Sequence, residues 1–450
     1  MNNLIFCLKT FKEYFDELNS LKINELLNLF CFIITIIAAI YSVIIFSKTQ
    51  FKKSRYKKEE RFLSRYKRIS KLSSEFSNNM FKYYYNKYKD DVSMDETSGI
   101  IIHKDWYMDF NGTLMEDVNI VSCNGDINPE NSRLSLSRFQ KIRNNMIKKK
   151  LRKRYPQKRN GYALNIIQYV DGKNLFNGEL FAASDIKIDK NKDKPVTIEV
   201  YLTDYFSFVD SCKALEFKYS LKKQNRSPDI DIFDFTNRSA GIGVNCLTIF
   251  PNILTGIDDD GNKIYNDYVI FHKRNSNVIE SPHTIHVVPA GSYQPIKSII
   301  PNKGLEFNKN LANTVYREFC EEILHTNHMS ELVSIDLLNI SSDYADTKKY
   351  SKIYYLGIGL EPFNTKVEVL GLMVYKSPKI VNITDLKKFL SIDSNDDEFN
   401  DNEGKIILEK FQKPLFEQYW GTKNITPSSK EIFKQVYQNF EYIKDLIHKE

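Results

Sequence analysis

Apolar and polar positions change period several times along the chain. Leu26 to Ser47 reads LLNLFCFIITIIAAIYSVIIFS and carries no charge over 22 residues. As a helix it would run roughly 33 Å at ~1.5 Å per residue, the span of a bilayer's hydrocarbon core. The run is too long for a signal peptide and has no small-residue cleavage site, so a membrane-spanning helix is expected. Before it, Leu4, Leu8, Phe11, Phe15 and Leu18 repeat at helical spacing, as in an interfacial amphipathic helix or an oligomer seam. After it, Phe62, Tyr66, Ile69, Phe76, Met80 and Tyr83 follow a heptad interrupted at Ser73. That stripe reads either as a helix packed on the neighbouring domain or as a short coiled coil between copies.

From about residue 96 to 235 the period shortens to two. "GIIIHKDWYMDF", "YALNIIQYV", "PVTIEVYLTDYFSFV" and "ALEFKYSL" read as strands, broken by Asn-Gly and Asp-Gly turns. "DIKIDKNKDKP" reads as an exposed loop. Beyond Ala240, "GIGVNCLTIF" predicts a buried strand. "GIDDDGNKIYNDYVIFHKR" predicts a turn and a second strand, and "HTIHVVPAGSY" a strand ending in a Pro-Ala-Gly turn. A helix is expected over 311–325, with Leu311, Val315, Phe319 and Ile323 every four residues. "LVSIDLLNI", "KIYYLGIGL" and "VEVLGLMVY" then read as strands, with a helix near 385–390.

Charge sharpens this outline. The net charge of +7 is unevenly placed: 48–71 holds eleven Lys or Arg against two Glu. By the positive-inside rule everything after Ser47 faces the cytoplasm, beside anionic lipid headgroups. No acid occurs between Glu130 and Asp171, where twelve Lys or Arg lie, Lys148, Lys149, Arg152 and Arg154 among them. A basic helix over 135–154 reads as a solvated face, a site for a phosphorylated ligand or nucleic acid, or a membrane-facing surface. The six cysteines are scattered with no C-x-x-C pair, which suits reduced thiols rather than a disulfide framework or zinc ribbon.

Candidate chemistry concentrates in "YREFCEEIL", beginning at Tyr316. Glu318, Glu321 and Glu322 stand three and four apart and share one helix face. Their mutual repulsion is relieved either by solvent or by a hard cation such as Mg²⁺ or Mn²⁺. Arg317 is placed to reach a neighbouring carboxylate or carbonyl and fix the geometry. Asp258 to Asp260 lacks calcium-loop spacing and reads as hairpin chemistry. His283 and His286 flank a strand, where a structural role is expected. Tyr293 and Phe271 are candidates for stacking on a base.

Arg317, Glu318, Phe319, Glu321 and Glu322 match, in order, the second half of the Nudix box, and the preceding "VVPAGSY" resembles the turn before it. The first half departs: Lys309 stands at the box's first Glu, Lys303 at its first Gly, and Leu324 at the Gly after Glu-Glu. A long insertion separates Gly291 from the helix. The resemblance implies that Glu318, Glu321 and Glu322 hold a divalent metal, with Glu318 and Arg317 at the catalytic centre and Gly291 at the ligand. A membrane anchor fused to a Nudix-like domain is similar to effectors of bacterial cyclic-oligonucleotide antiphage signalling (CBASS), which implies a homo-oligomer in the inner membrane.

The expected architecture is α+β: an N-terminal transmembrane helix and basic helix, a mixed strand-rich middle region, and a C-terminal Nudix-like α/β/α sandwich. The expected segments are an amphipathic helix over 1–25, a membrane span over 26–47, a basic juxtamembrane helix over 48–95, a strand-rich domain over 96–235 and a Nudix-like domain over 236–450. Three functions stay open: a membrane-anchored sensor of a cyclic oligonucleotide or other nucleotide, a Mg²⁺-dependent hydrolase of nucleoside diphosphate-linked substrates, and a membrane-tethered interaction module.

Overall fold

In a computed structural model, the described residues are 23–71, 73–93, 95–123, 178–219, 231–275, 283–297, 305–306, 309–325, 342–392, 398–400, 404–421 and 424–449. The chain divides into two compact units, Met1–Arg65 and Tyr66–Glu450. The amphipathic repeat over 4–18, "YALNIIQYV", "LVSIDLLNI" and the basic segment with Lys148, Lys149, Arg152 and Arg154 lie outside the described residues.

Helix α1, Ile23–Lys71, contains the uncharged run, and Asn28–Phe51 is long and apolar enough to cross a membrane. Three of its hydroxyls bond back to the carbonyl four residues earlier: Thr35 to Cys31, Ser42 to Ala38 and Thr49 to Ile45, at 2.8, 2.8 and 2.9 Å. No polar group of these side chains would then meet hydrocarbon unpaired.

Helix α2, Ser73–Lys87, carries the end of the heptad stripe. Met80, Phe81 and Tyr84 are buried, and Phe76 stacks on Phe363 at 5.5 Å. Over these residues the stripe packs on its own chain.

A small sheet holds β1 (Asn119–Ser122), β2 (Glu179–Ile188) and β3 (Val196–Asp204), with β3 in the middle. Three expected strands are corrected here. "TDYFSFV" leaves the sheet at Asp204, whose carboxylate accepts the Ser207 N–H at 2.8 Å and starts helix α3, Tyr205–Phe208. A π-helical turn at Val209–Lys213 leads into α4, Ala214–Tyr219, so the "ALEFKY" part of that expected strand is helical too. Phe206, Phe208, Val209, Cys212 and Leu215 are all buried. A helix enclosed on every side loses its 3.6-residue signature, and its bulky residues then imitate a strand. "GIIIHKDWYMDF" makes only isolated bridges at Ile101 and His103 before a 3-10 turn over Lys104–Trp106.

The main sheet is mixed. β4 (Ile242–Ile257) pairs antiparallel with β5 (Lys263–Arg274) and parallel with a later strand. β4 and β5 pair along their outer halves, and one stretch of chain meets both near their other ends. β6 (Ile285–Val287) pairs with β5, and β7 (Ala290–Ser292) with β4, joined through a cis Val288–Pro289 peptide. A short pair, β8 (Ile296–Lys297) and β9 (Leu305–Glu306), lies in the insertion. Helices α5 (Ala312–Glu322) and α6 (Ser342–Tyr350) follow, then the β10 (Ser351–Leu360) and β11 (Val367–Tyr375) hairpin, then α7 (Ile383–Phe389). β12 (Glu398–Asn400) and β13 (Gly404–Lys410) complete the order β10-β11-β4-β5-β13-β12. The chain ends in α8 (Lys413–Trp420), α9 (Pro427–Gln438) and α10 (Phe440–Lys449).

Helices cover both faces of this sheet. On one, Phe319 of α5 stacks on Tyr375 at 5.2 Å, beside Phe250 and Phe389. On the other, Gln435 of α9 approaches Gly357. With neither face open to water, β4 and β11 read as near-continuous apolar runs rather than alternations. The described architecture is mixed α+β with an N-terminal apolar helix.

Candidate functional site

The acidic helix α5 sits on β7 where the chain crosses from β5 to β4. Its apolar stripe, Leu311, Val315, Phe319 and Ile323, is buried as the spacing requires. The acidic side is not a solvent face either: Arg317, Glu318, Glu321 and Glu322 are each only partly exposed.

Three contacts tie this side to β7 and to Gln294 just beyond it. The Ala290 N–H donates to Glu322 Oε2 at 3.0 Å. The Arg317 guanidinium donates to the Ser292 carbonyl at 3.2 Å and to Gln294 Oε1 at 2.7 Å. It also pairs with the Glu318 carboxylate beside it. Between these contacts, Glu318 lies flat over Gly291. A Cβ on Gly291 would fall 2.0 Å from both the Glu318 carboxyl carbon and its Oε1. Glycine at 291 is therefore a packing requirement of the carboxylate. The Arg317 and Glu318 side chains are 18% and 14% exposed, so their attraction is screened less than that of a surface pair.

The structure thus brings together Gly291, Arg317, Glu318 and Glu322. It does not bring the two aromatic candidates into an open site. Phe271 is fully buried, in edge contact with Tyr419 at 4.7 Å and Phe433 at 5.9 Å. Tyr293 is likewise buried against Phe181, and burial drives its phenol pKa upward. Neither ring presents a face for a base. Within α5, burial pushes the Cys320 thiol up to about 12, which rules it out as a nucleophile near neutrality.

Among the described residues, no group of three or more His, Cys, Asp or Glu side chains is placed to hold a metal ion. Two carboxylates face β7, and each already has a protein partner: Arg317 for Glu318, the Ala290 amide for Glu322. Mg²⁺ or Mn²⁺ held by Glu318, Glu321 and Glu322 would have to compete with these two partners.

A second polar cluster, not anticipated from sequence, lies in the turn between β10 and β11 and on the opposite face of the sheet. The Glu361 carboxylate accepts from the Ser77 hydroxyl of α2 at 2.5 Å and from the Phe363 and Asn364 N–H groups at 3.0 and 2.7 Å. Asn364 donates to Glu216 at 3.0 Å, and Glu216 is paired with Lys213 at 3.1 Å. Glu368 accepts from Asn245 at 2.6 Å and pairs with Lys366 at 3.4 Å. Gly243 makes room for that pair, since a Cβ there would lie 2.2 Å from Glu368 Oε2. Desolvation, opposed by the Ser77 bond, raises the Glu361 pKa from 4.5 to about 7, with Glu216 and Glu368 adding repulsion.

His286 is also settled by geometry. Its Nδ1 lies 2.8 Å from Thr426 Oγ1 and 2.9 Å from Ser429 Oγ, and burial holds its pKa well below 6.5. It is a neutral, structural histidine.

No known protein family matches the chain, and no curated protein is significantly similar to it.

Proposed function

We propose that this chain is a membrane-anchored sensor of the bacterial inner membrane, whose Nudix-like C-terminal region recognises a nucleotide, a cyclic oligonucleotide in the CBASS manner, without turning it over. The observation that carries this reading is the packing of α5 on β7. A glycine strand is covered by a glutamate that is itself neutralised by the preceding arginine, in the residue order the second half of the Nudix box prescribes. Helices on both faces of a mixed sheet support the α/β/α sandwich. Recognition is favoured over cutting because Glu318 is held by Arg317 and Lys309 replaces the box's first acid. A carboxylate already paired with a guanidinium is a poor general base. The uncharged helix with its basic C-terminal flank supports an anchor with the rest of the chain cytoplasmic.

The test is isothermal titration of the full chain in detergent against cyclic di- and trinucleotides, with and without Mg²⁺, alongside assays for released nucleotide or phosphate. Binding to one member without product supports the sensor. Turnover that Glu318→Gln abolishes would replace it with the hydrolase. No binding to any member sinks it.

A further inference from the structure

The Glu361 cluster lies away from the acidic helix, beneath α2, and several elements turn polar groups toward its carboxyl. From α2 comes the Ser77 hydroxyl, 2.5 Å from Oε1, while the Phe76 ring of the same helix stacks on Phe363 of the turn. From α4 and the turn before it come Glu216 and its partner Lys213, with Asp210 buried in that same turn. From β11 comes Glu368, paired with Lys366 and bonded to Asn245 of β4. The charged groups of α2 nearest in sequence, Glu75 and Lys82, are exposed to solvent. Both lysines of the cluster are thus taken by the other two glutamates. Among the described residues no cation stands in salt-bridge reach of Glu361.

The position of a proton on Glu361 follows from its bonds. Oε2 accepts the Phe363 and Asn364 N–H groups together. A carboxyl proton therefore sits on Oε1, the atom facing α2, and protonated Glu361 donates to Ser77 Oγ. Ionised Glu361 accepts from the Ser77 hydroxyl instead, so the bond exists in either form. What differs is the charge. Ionisation sets a carboxylate with no cation of its own beside Glu216 and Glu368, under a helix that keeps water from it. Lifting α2 relieves this by hydration. α2 is the first helix of Tyr66–Glu450 and takes part in no strand pairing, so it can open without breaking the sheet.

We propose that Glu361 is a proton-operated latch on α2. Neutral, it holds the helix down; ionised, it favours a local opening in which α2 lifts and water reaches the carboxylate. Ser73 begins α2 two residues after α1 ends at Lys71, so the latch acts on the stretch of chain that leads to the apolar helix. It does not depend on what the acidic helix binds.

The sign and size follow from the two states. Docking raises the Glu361 pKa from 4.5 to about 7, and hydration on opening returns it to 4.5. The docked state is favoured in full below 4.5, and that advantage is lost as pH rises through about 7. Between pH 6 and pH 8 the opening constant should rise about tenfold, whatever its absolute value.

The experiment introduces Met80→Cys, at a buried position of α2, into the full chain in detergent, with and without Glu361→Gln. Alkylation by N-ethylmaleimide is followed at pH 6 and pH 8, residue by residue, by peptide mass. Glutamine donates to Ser77 as the protonated acid does and cannot ionise, so dividing by its rate removes the thiol's own pH dependence. The expected result is a rate ratio, glutamate over glutamine, that rises about tenfold from pH 6 to pH 8. Cys246, fully buried on β4, should stay unmodified meanwhile. Hydrogen exchange over 76–84 in chains without the new cysteine should show the same change, so the outcome does not hang on a loosened variant. A flat ratio overturns the latch. Modification of Cys246 in step with position 80 also overturns it, since the opening would then be global. So does protection over 76–84 no weaker than that of β4.

Discussion

Glu361 gives the most quantitative prediction. Its ordinary pKa of 4.5 is raised to about 7 in the folded chain. The folded state then holds a proton that the unfolded state releases between these values. Stability from this group is fully present below pH 4.5 and is lost as pH rises through about 7. At about 1.4 kcal/mol per pH unit, the gap is worth about 3 kcal/mol. Glu361→Gln should remove the dependence while keeping the geometry. A glutamine oxygen can accept from Phe363 and Asn364 while its amide donates to Ser77. The assay is urea unfolding of the full chain in detergent at pH 5 and pH 8, followed by the fluorescence of Trp106, which is buried with its indole N–H on the Ile186 carbonyl. The difference in stability between variant and wild type should grow by about 2.5 kcal/mol from pH 5 to pH 8, in favour of glutamine, the rest of the gap falling outside this window. Taking this difference cancels the opposite contribution of His286, whose depressed pKa makes its protonation below pH 6.5 destabilising. A difference that stays constant across this range would refute the reasoning, because Glu361 would then be ionised in both states.

Three further perturbations follow from close approaches and burial. Gly99→Ala places a Cβ 2.0 Å from the Pro427 carbonyl oxygen and 2.9 Å from the Glu431 nitrogen. Backbone cannot swing aside, so a loss of about 3 kcal/mol in urea unfolding is expected. Gly291→Ala must expel Glu318 from β7; nucleotide binding by titration calorimetry should be lost, with far-UV circular dichroism unchanged. Ala38→Arg in the middle of the apolar stretch of α1 should cost about 3 kcal/mol of insertion, read as loss of the protein from carbonate-washed membranes.

Period and chemistry made part of this molecule legible. The uncharged run, the strands of the main sheet and the amphipathic stripe of α5 are long enough for their patterns to dominate. The spacing of Glu318, Glu321 and Glu322 foretold a shared side, whereas the Pro-Ala-Gly expected to turn the chain leads into strand β7 instead. Spacing did not reveal that the acidic side would face protein. That depends on Gly291 lacking a side chain and on β6 and β7 linking β5 to β4, relations separated by a long insertion. The Asp204 cap was missed because aromatic and β-branched residues around it score as strand, and one aspartate overrode them. The Glu361 cluster left no local trace. Its members come from α2, α4, β4, β11 and the β10–β11 turn, each unremarkable in its own stretch.

These two clusters are joined through the sheet. Ser292, which receives Arg317, is paired with Gly243; Gly243 is paired with Glu368; Glu368 holds Lys366. The Lys366 N–H reaches Asn364, whose own N–H reaches Glu361, and Glu361 holds Ser77 of α2. Connectivity alone does not make coupling; an element with two arrangements is needed. We assign that role to the turn. Thr365 sits there in the left-handed region at φ 61°, a conformation a β-branched residue resists at a cost of about 1–3 kcal/mol. If ligand at the acidic helix shifts β7, the strained turn is where the shift can be absorbed, and α2 is the element it would release. A double-mutant cycle tests this. Glu318→Gln and Ser77→Ala share no partner, so independent effects on unfolding should add within about 0.5 kcal/mol. Coupling through the sheet predicts a larger interaction term in the ligand-free chain, which Thr365→Gly, by relaxing the turn, should reduce. Strict additivity of the two substitutions would leave α2 docked but deaf to the acidic helix.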